Sequence, residues 1–210
     1  MGPALSVKFN DDYNLTFIFL ISNFNIQEAG SSGNRTLDYK FTRIDTDIAL
    51  NYRLNNYFKF FGGVKCLSFE TGGPEFNTPG SAGPGMVVGV DHIGFGPGLG
   101  LSCTYPITEN IFFIGNLSAF YLWTEEKKEY DLPPPTNVKT NCNDIGMNLN
   151  LSLAYYIAQA STTISLGGRV QAIKINYKSE YDKHRYGQGD GYDTDTFYGI
   201  TLTATYSFSI

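Results

Sequence analysis

The stretch Asp144-Ile145-Gly146-Met147-Asn148-Leu149-Asn150-Leu151-Ser152-Leu153-Ala154-Tyr155-Tyr156-Ile157 decides the fold class. Successive side chains of a β-strand point to opposite faces, so an alternating sequence read as a strand separates into two sets. One set is Ile145, Met147, Leu149, Leu151, Leu153, Tyr155 and Ile157; the other is Asp144, Gly146, Asn148, Asn150, Ser152, Ala154 and Tyr156. The last segment repeats the division, with Tyr198, Ile200, Leu202, Ala204, Tyr206, Phe208 and Ile210 against Gly199, Thr201, Thr203, Thr205, Ser207 and Ser209. A water-soluble barrel buries its apolar face and carries Lys, Glu and Asp in numbers outside. Here the polar face is mostly small Gly, Ser, Thr and Asn, which suits a crowded interior and leaves the apolar face for lipid.

Outward from that stretch, the same alternation predicts strands over 13–27, 37–53, 57–70, 90–105, 111–124, 144–157, 161–178 and 194–210, with a shorter piece over 3–9. The connections alternate in length. Short ones fall at 10–12, 54–56, 106–110 and 158–159; long polar or Gly/Pro-rich ones cover 28–36, 71–89, 125–140 and 179–193. Short periplasmic turns and long outer loops have this asymmetry in outer-membrane barrels, and each full segment exceeds the roughly 9–11 residues a tilted strand needs to cross the hydrocarbon. The reading is all-β: a transmembrane antiparallel up-and-down β-barrel of eight full strands plus a short N-terminal strand, one domain over 1–210. Aromatic residues form two bands, as interfacial girdles require. Phe9, Tyr13, Tyr52, Phe58, Tyr105, Phe113, Tyr155, Tyr206 and Phe208 lie near the short turns, and Tyr39, Phe95, Tyr121, Trp123, Tyr177 and Tyr198 near the long loops.

Composition narrows the function. A net charge of −5 and only 15 Lys plus Arg argue against a nucleic-acid partner, which needs clustered cations. No run reaches the 18 or so apolar residues of a transmembrane helix. Cys66, Cys103 and Cys142 lie too far apart for a CxxC metal site and read as free thiols serving as small hydrophobes. The N-terminus lacks a basic, apolar and cleavage-site succession, so export would require the given chain to start after its signal.

The ending Tyr206-Ser207-Phe208-Ser209-Ile210 resembles the terminal signal of bacterial outer-membrane proteins, with Ile210 standing where Phe is usual. Gly96-Pro97-Gly98-Leu99-Gly100-Leu101-Ser102 with Thr104-Tyr105-Pro106-Ile107-Thr108-Glu109-Asn110 looks like strands of the same superfamily, the small OmpA-like and porin-like outer-membrane β-barrels. The resemblance implies an outer-membrane location with periplasmic termini in the complete protein, contact with outer-membrane lipid, and recognition of the last strand by the barrel-assembly machinery. It names a superfamily and no activity. Gly2-Pro3-Ala4-Leu5-Ser6 echoes Gly96-Pro97-Gly98-Leu99 and its Ser102, so 3–9 reads as the lower half of a descending strand. An up-and-down barrel with both ends on one side needs an even strand number, which predicts a ten-strand parent whose first strand is missing and an unclosed edge between first and last strands; the competing reading is a complete eight-stranded barrel behind a periplasmic lead.

Charges facing the interior are the candidates for specificity, because each is costly to bury unpaired. The inward set is Asp45, Asp47, Asn51 and Arg53, with Lys59, Gly63 and Lys65 on the hairpin partner, and a connection at 54–56 sets Asp45 opposite Lys65 and Asn51 opposite Lys59. Arg169, Gln171 and Lys174 are expected inward from a later strand, opposite Asp144 and Asn148. These charges either plug a narrow barrel with salt bridges or line a passive conduit for small solutes, with Arg169 and Lys65 selecting anions. The long loops, including Pro133-Pro134-Pro135, offer an alternative as a surface-binding site for an unknown ligand. Enzymatic function is not expected: the two histidines, His92 and His184, read as solvated loop residues with no nucleophilic Ser beside them. No metal or cofactor is expected either, since Asp182, Asp190, Asp193 and Asp195 lack EF-hand spacing.

Overall fold

The computed structural model describes residues 2–29, 36–71, 75–76, 87–130, 136–177 and 192–209. Eight long strands and a short first one make one sheet: β1 (Gly2–Lys8), β2 (Tyr13–Ala29), β3 (Thr36–Arg53), β4 (Phe58–Thr71), β6 (Val87–Pro106), β7 (Ile111–Tyr130), β8 (Thr136–Ile157), β9 (Thr162–Tyr177) and β10 (Tyr192–Ser209), with a two-residue β5 (Glu75–Phe76) hung on β3. Around the sheet the order is β2-β1-β10-β9-β8-β7-β6-β4-β3, and β3 pairs back to β2, so the sheet closes into a barrel-like ring. Eight full strands plus a short N-terminal one are thus present. All neighbours are antiparallel except one: β1 and β10 both descend to the short-turn end and pair in parallel, Gly2 with Thr203 through Lys8 with Ser209. That pair corrects both the purely antiparallel expectation and the expected open edge between first and last strands. An odd number of strands can close when one pair gives up antiparallel geometry.

β1 reaches up only to Gly2, pairing with β2 from Ala4–Ile18 down to Lys8–Asn14. Above that level, among the described residues, no strand lies between the upper halves of β2 and β10.

Three short turns share one design. Phe9 N–H donates to Tyr13 O (3.1 Å), Leu54 N–H to Phe58 O (2.9 Å) and Ile107 N–H to Ile111 O (2.8 Å), leaving three residues in each bend. The first bend residue then accepts backbone N–H groups: Asn10 Oδ1 from Asp12 and Tyr13, Asn55 Oδ1 from Tyr57 and Phe58, and Thr108 Oγ1 from Ile111. Short polar side chains stabilise bends in this way. The second bend therefore starts at Asn55 and not at Leu54, which moves the β3–β4 register by two: Asp47 lies opposite Lys65, Arg53 opposite Lys59, Asp45 opposite Leu67 and Asn51 opposite Phe61. The fourth connection is a 3-10 turn over Ala158–Ala160 closed by Ser161, whose φ of 47° is left-handed.

The polar stretch 125–140, read as a loop, is largely strand. β7 runs on to Tyr130 and β8 begins at Thr136, paired from Glu125–Asn141 to Tyr130–Thr136. Its charges pair beside the ladder, Lys139 Nζ with Glu125 Oε1 at 2.7 Å, so high polarity does not interrupt the backbone hydrogen bonds. The long connections 30–35, 72–74, 77–86, 131–135 and 178–191 lie outside the described residues.

Side-chain exposure is the reverse of a soluble protein's. Along β8, Ile145, Met147, Leu149, Leu151, Leu153 and Tyr155 are exposed, while Asp144, Gly146, Ser152 and Ala154 are buried. Exposed apolar side chains continue around the ring through Ile48, Leu50, Val64, Ile93, Leu99, Leu117, Ile164, Leu166, Val170 and Leu202. The lower aromatic band faces outward, with Tyr13 tilted against Tyr52 and Tyr57 stacked near Tyr105, and Phe95 meets Trp123 toward the other end.

Replacing Asn55 by Ala is expected to lower stability by about 1 kcal/mol, the net worth of a hydrogen bond or two at a solvated bend, whereas Asn55→Asp keeps the acceptor and stays near wild type. Urea midpoints followed by Trp123 fluorescence report the difference, and equal midpoints for all three would show that the capping oxygen does not hold the turn.

Candidate functional site

The ring's interior contains an ion cluster, an apolar layer and a polar hollow. The cluster begins with Asp45 on β3, only 3% exposed. Its carboxylate accepts from Arg43 Nε at 3.0 Å, Lys65 Nζ at 2.9 Å and Arg169 Nη1 at 3.4 Å. Lys65 also reaches Asp47 Oδ1 at 2.9 Å. Arg169 Nε donates to Asn148 Oδ1 (2.8 Å) and its Nη2 to Gln171 Oε1 (2.8 Å), an oxygen that Arg43 Nη2 also contacts. The β3–β4 hairpin and β9, distant in sequence, thus meet across the interior. The guanidinium of Arg43 lies 4.3 Å from the Phe197 ring centre and the Lys65 ammonium 5.5 Å from that of Phe120, which lowers the cost of holding cations away from water. Arg43, Lys65 and Arg169 face Asp45 and Asp47, three cations to two anions.

Next to the cluster, Phe41, Leu67, Phe69, Phe120, Leu122, Cys142, Ile173 and Ile175 form one buried apolar group with Phe197 packed against it. The layer was not foreseen as apolar, although each member continues the inward parity of a strand already read. It also holds His92, 1% exposed and stacked on Phe69 with ring centres 4.1 Å apart. His92 Nε2 donates to Asp144 Oδ2 at 2.7 Å, and its Nδ1 lies 3.7 Å from Glu126 Oε2. His92 is therefore an interior residue of β6 and not a solvated loop histidine. The small residues Gly94, Gly96 and Gly100 on the same face, all buried, are a sequence signal that could have placed it inside. His184 lies outside the described residues.

On the short-turn side of the cluster is a hollow of about 330 Å³. Its polar lining is Asn14, Thr16, Asn51, Asn116, Ser118, Asn150, Ser152, Ser165, Thr203 and Thr205, its charged members are Asp47, Lys59, Lys65 and Arg169, and apolar side chains including Ile18, Phe61, Ile114 and Phe120 also line it. Amide and hydroxyl side chains can donate and accept hydrogen bonds, and three cations beside one carboxylate give this space a positive balance.

The candidates named from sequence divide as follows. Asp45, Asp47, Lys65 and Arg169 come together in the cluster; Asp144 is fully buried with His92, and Lys59 lines the hollow. Arg53 does not join them. It sits exposed at the rim, donating to Asn55 O at 3.4 Å, because the register places it beside the bend. Lys174 is exposed on the outer face: Arg169, Gln171 and Ile173 point inward, so the period of two turns 174 outward. Arg43, His92 and Glu126 were missed; Arg43 shares the parity of Asp45 and was readable one step up the strand. Cys66, Cys103 and Cys142 are free thiols, Cys142 within the apolar group. No family model and no curated protein matches this sequence.

Asp45→Asn would leave three cations facing one carboxylate in the interior and is expected to destabilise by about 3–5 kcal/mol, the cost of breaking a buried pair. Asp47→Asn, at a half-exposed position, is expected to cost about 1 kcal/mol or less. Equilibrium unfolding of the two variants checks the order, and a reversal would remove Asp45 from the centre of the cluster.

Proposed function

We propose that this chain is an integral outer-membrane protein whose polar interior is a narrow, anion-preferring conduit for small solutes, stoppered on the long-loop side. The observation carrying the membrane part is the inverted distribution of side chains. Thirty-six large apolar or aromatic residues are exposed among the described residues, while Arg43, Asp45, Lys65, His92, Glu126, Asp144 and Gln171 are buried. An apolar surface continuous around a ring exceeds what a monomer in water tolerates, and a closed sheet satisfies its own backbone, as a spanning structure must. Strands of 14 to 22 residues, β1 aside, have length to cross and project beyond the hydrocarbon. The short-turn end with its outward aromatics would face the periplasm, and the last strand would carry the assembly signal.

Lys59, Lys65 and Arg169 on the walls of the hollow favour the conduit reading, with one carboxylate, Asp47, among them. Leu67, Leu122 and Ile173, each at most 1% exposed, close the way above it. Passage through the ring therefore needs the apolar layer to yield, and conductance in the resting state should be small.

Produced with an export signal, the chain should fractionate with outer membranes and migrate faster on gels unheated than boiled; a monodisperse monomer in detergent-free buffer would reject the membrane reading. In planar bilayers, wild type is expected near background and Phe120→Ala/Leu122→Ala several-fold above it with anion preference. Lys59→Ala in that background should reduce the preference. If both proteins fold and neither conducts, the conduit reading is wrong.

A further inference from the structure

Strand pairing sets a row of inward side chains across one wall of the lower hollow. Lys59 on β4 lies opposite Ser102 on β6, Ser102 opposite Asn116 on β7, Asn116 opposite Asn150 on β8, and Asn150 opposite Arg169 on β9. All five line the hollow, and none of their strands borders β1. Arg169 is committed to Asp45, Asn148 and Gln171. The other four are not. Among the described residues the side chains of Lys59, Ser102, Asn116 and Asn150 have no hydrogen bond or ion pair with another residue, and Asn150 Oδ1 is buried without one. The wall on β2 and β3 differs, for there Asn51 Nδ2 donates to Thr16 Oγ1 at 2.9 Å and Asn14 Nδ2 to Ser6 Oγ at 3.0 Å. Lys59 stands out in the row: it is half-buried, and the residue across the ladder from it is another cation, Arg53. An interior ammonium with no carboxylate costs stability, and such local costs are expected where a ligand supplies the missing charge.

We propose that this row binds a small hydroxylated carboxylate of the sugar-acid class, its carboxylate on Lys59 and its hydroxyls on Ser102, Asn116 and Asn150. Lys65 already shares Asp45 and Asp47, and Arg169 holds Asp45, so Lys59 is the hollow's cation without an anion among the described residues, and one negative charge matches it. A hydroxyl and two carboxamides both donate and accept, which suits a ligand with several hydroxyl groups. Phe61 and Ile114 on the same lining offer apolar contact to its carbon chain. A space of about 330 Å³ is at the small end of ligand sites, roughly 300–1,000 Å³, and fits one sugar-sized unit. The proposal names the solute of the conduit and rests on that reading for how the solute reaches the hollow.

The test titrates the full chain, folded in nonionic micelles, with D-gluconate, with D-glucose, which has hydroxyls without the charge, and with acetate, which has the charge without hydroxyls. Calorimetry is expected to show saturable gluconate binding at least about tenfold tighter than either of the others, the worth of a charge-assisted hydrogen bond or of the hydroxyl set. Lys59→Gln strands no partner, so its unfolding midpoint should be at or above wild type while its gluconate affinity falls about tenfold; Lys59→Arg should keep most of the binding. Asn150→Ala should weaken gluconate several-fold. Equal affinity for gluconate and glucose, equal affinity for gluconate and acetate, or unchanged gluconate affinity in folded Lys59→Gln overturns the proposal. A folded chain that binds no gluconate sinks this inference alone, because conductance of Phe120→Ala/Leu122→Ala decides the conduit separately. A chain that is monodisperse in plain buffer sinks the membrane reading, and the same three titrations in that buffer then decide the site by themselves.

Discussion

Closure of the sheet on itself is the constraint from which the other features follow. Once β3 returns to β2 and β10 reaches β1, each strand has one face toward a space of fixed width and one face outward, and a period of two assigns every residue to one or the other. A slip of one residue would drive Ile145 to Leu153 inside and Asp144 to Ser152 outside. The ring therefore tolerates no slip, and shifts such as the one at Asn55 come in twos.

The interior that closure creates has to be filled, and its two halves are filled differently. Toward the short turns the strands turn in Asn, Ser and Thr, which are small enough to leave a hollow. Toward the long loops they turn in Phe41, Phe69, Phe120, Leu122 and Ile173, which leave little space. The ion cluster stands between them. Its charges are tolerable there because each carboxylate and cation has opposite charge or a ring face within reach, and removal of any partner strands another. The same cluster supplies two of the cations of the lower hollow, Lys65 and Arg169.

The sequence determined the strand register within each segment, which side chains face out, and the nine-strand count, because alternation is a local property that survives without knowing the neighbours. It also placed Asp45, Asp47, Lys65 and Arg169 inside. Two expectations failed for local reasons: placing Lys174 inward went against the parity of Arg169 and Gln171, and 125–140 was read as a loop for its polarity although its ladder continues.

What only the tertiary structure decided concerns pairs of strands. The parallel closure of β1 on β10 and the meeting of Arg43 with Gln171, 128 residues apart, depend on ring order and stagger. So does the burial of His92 against Asp144. No single strand encodes these relations. Stagger accumulates around the whole ring, and which inward residues reach the same level is settled only when the last pair of strands has closed.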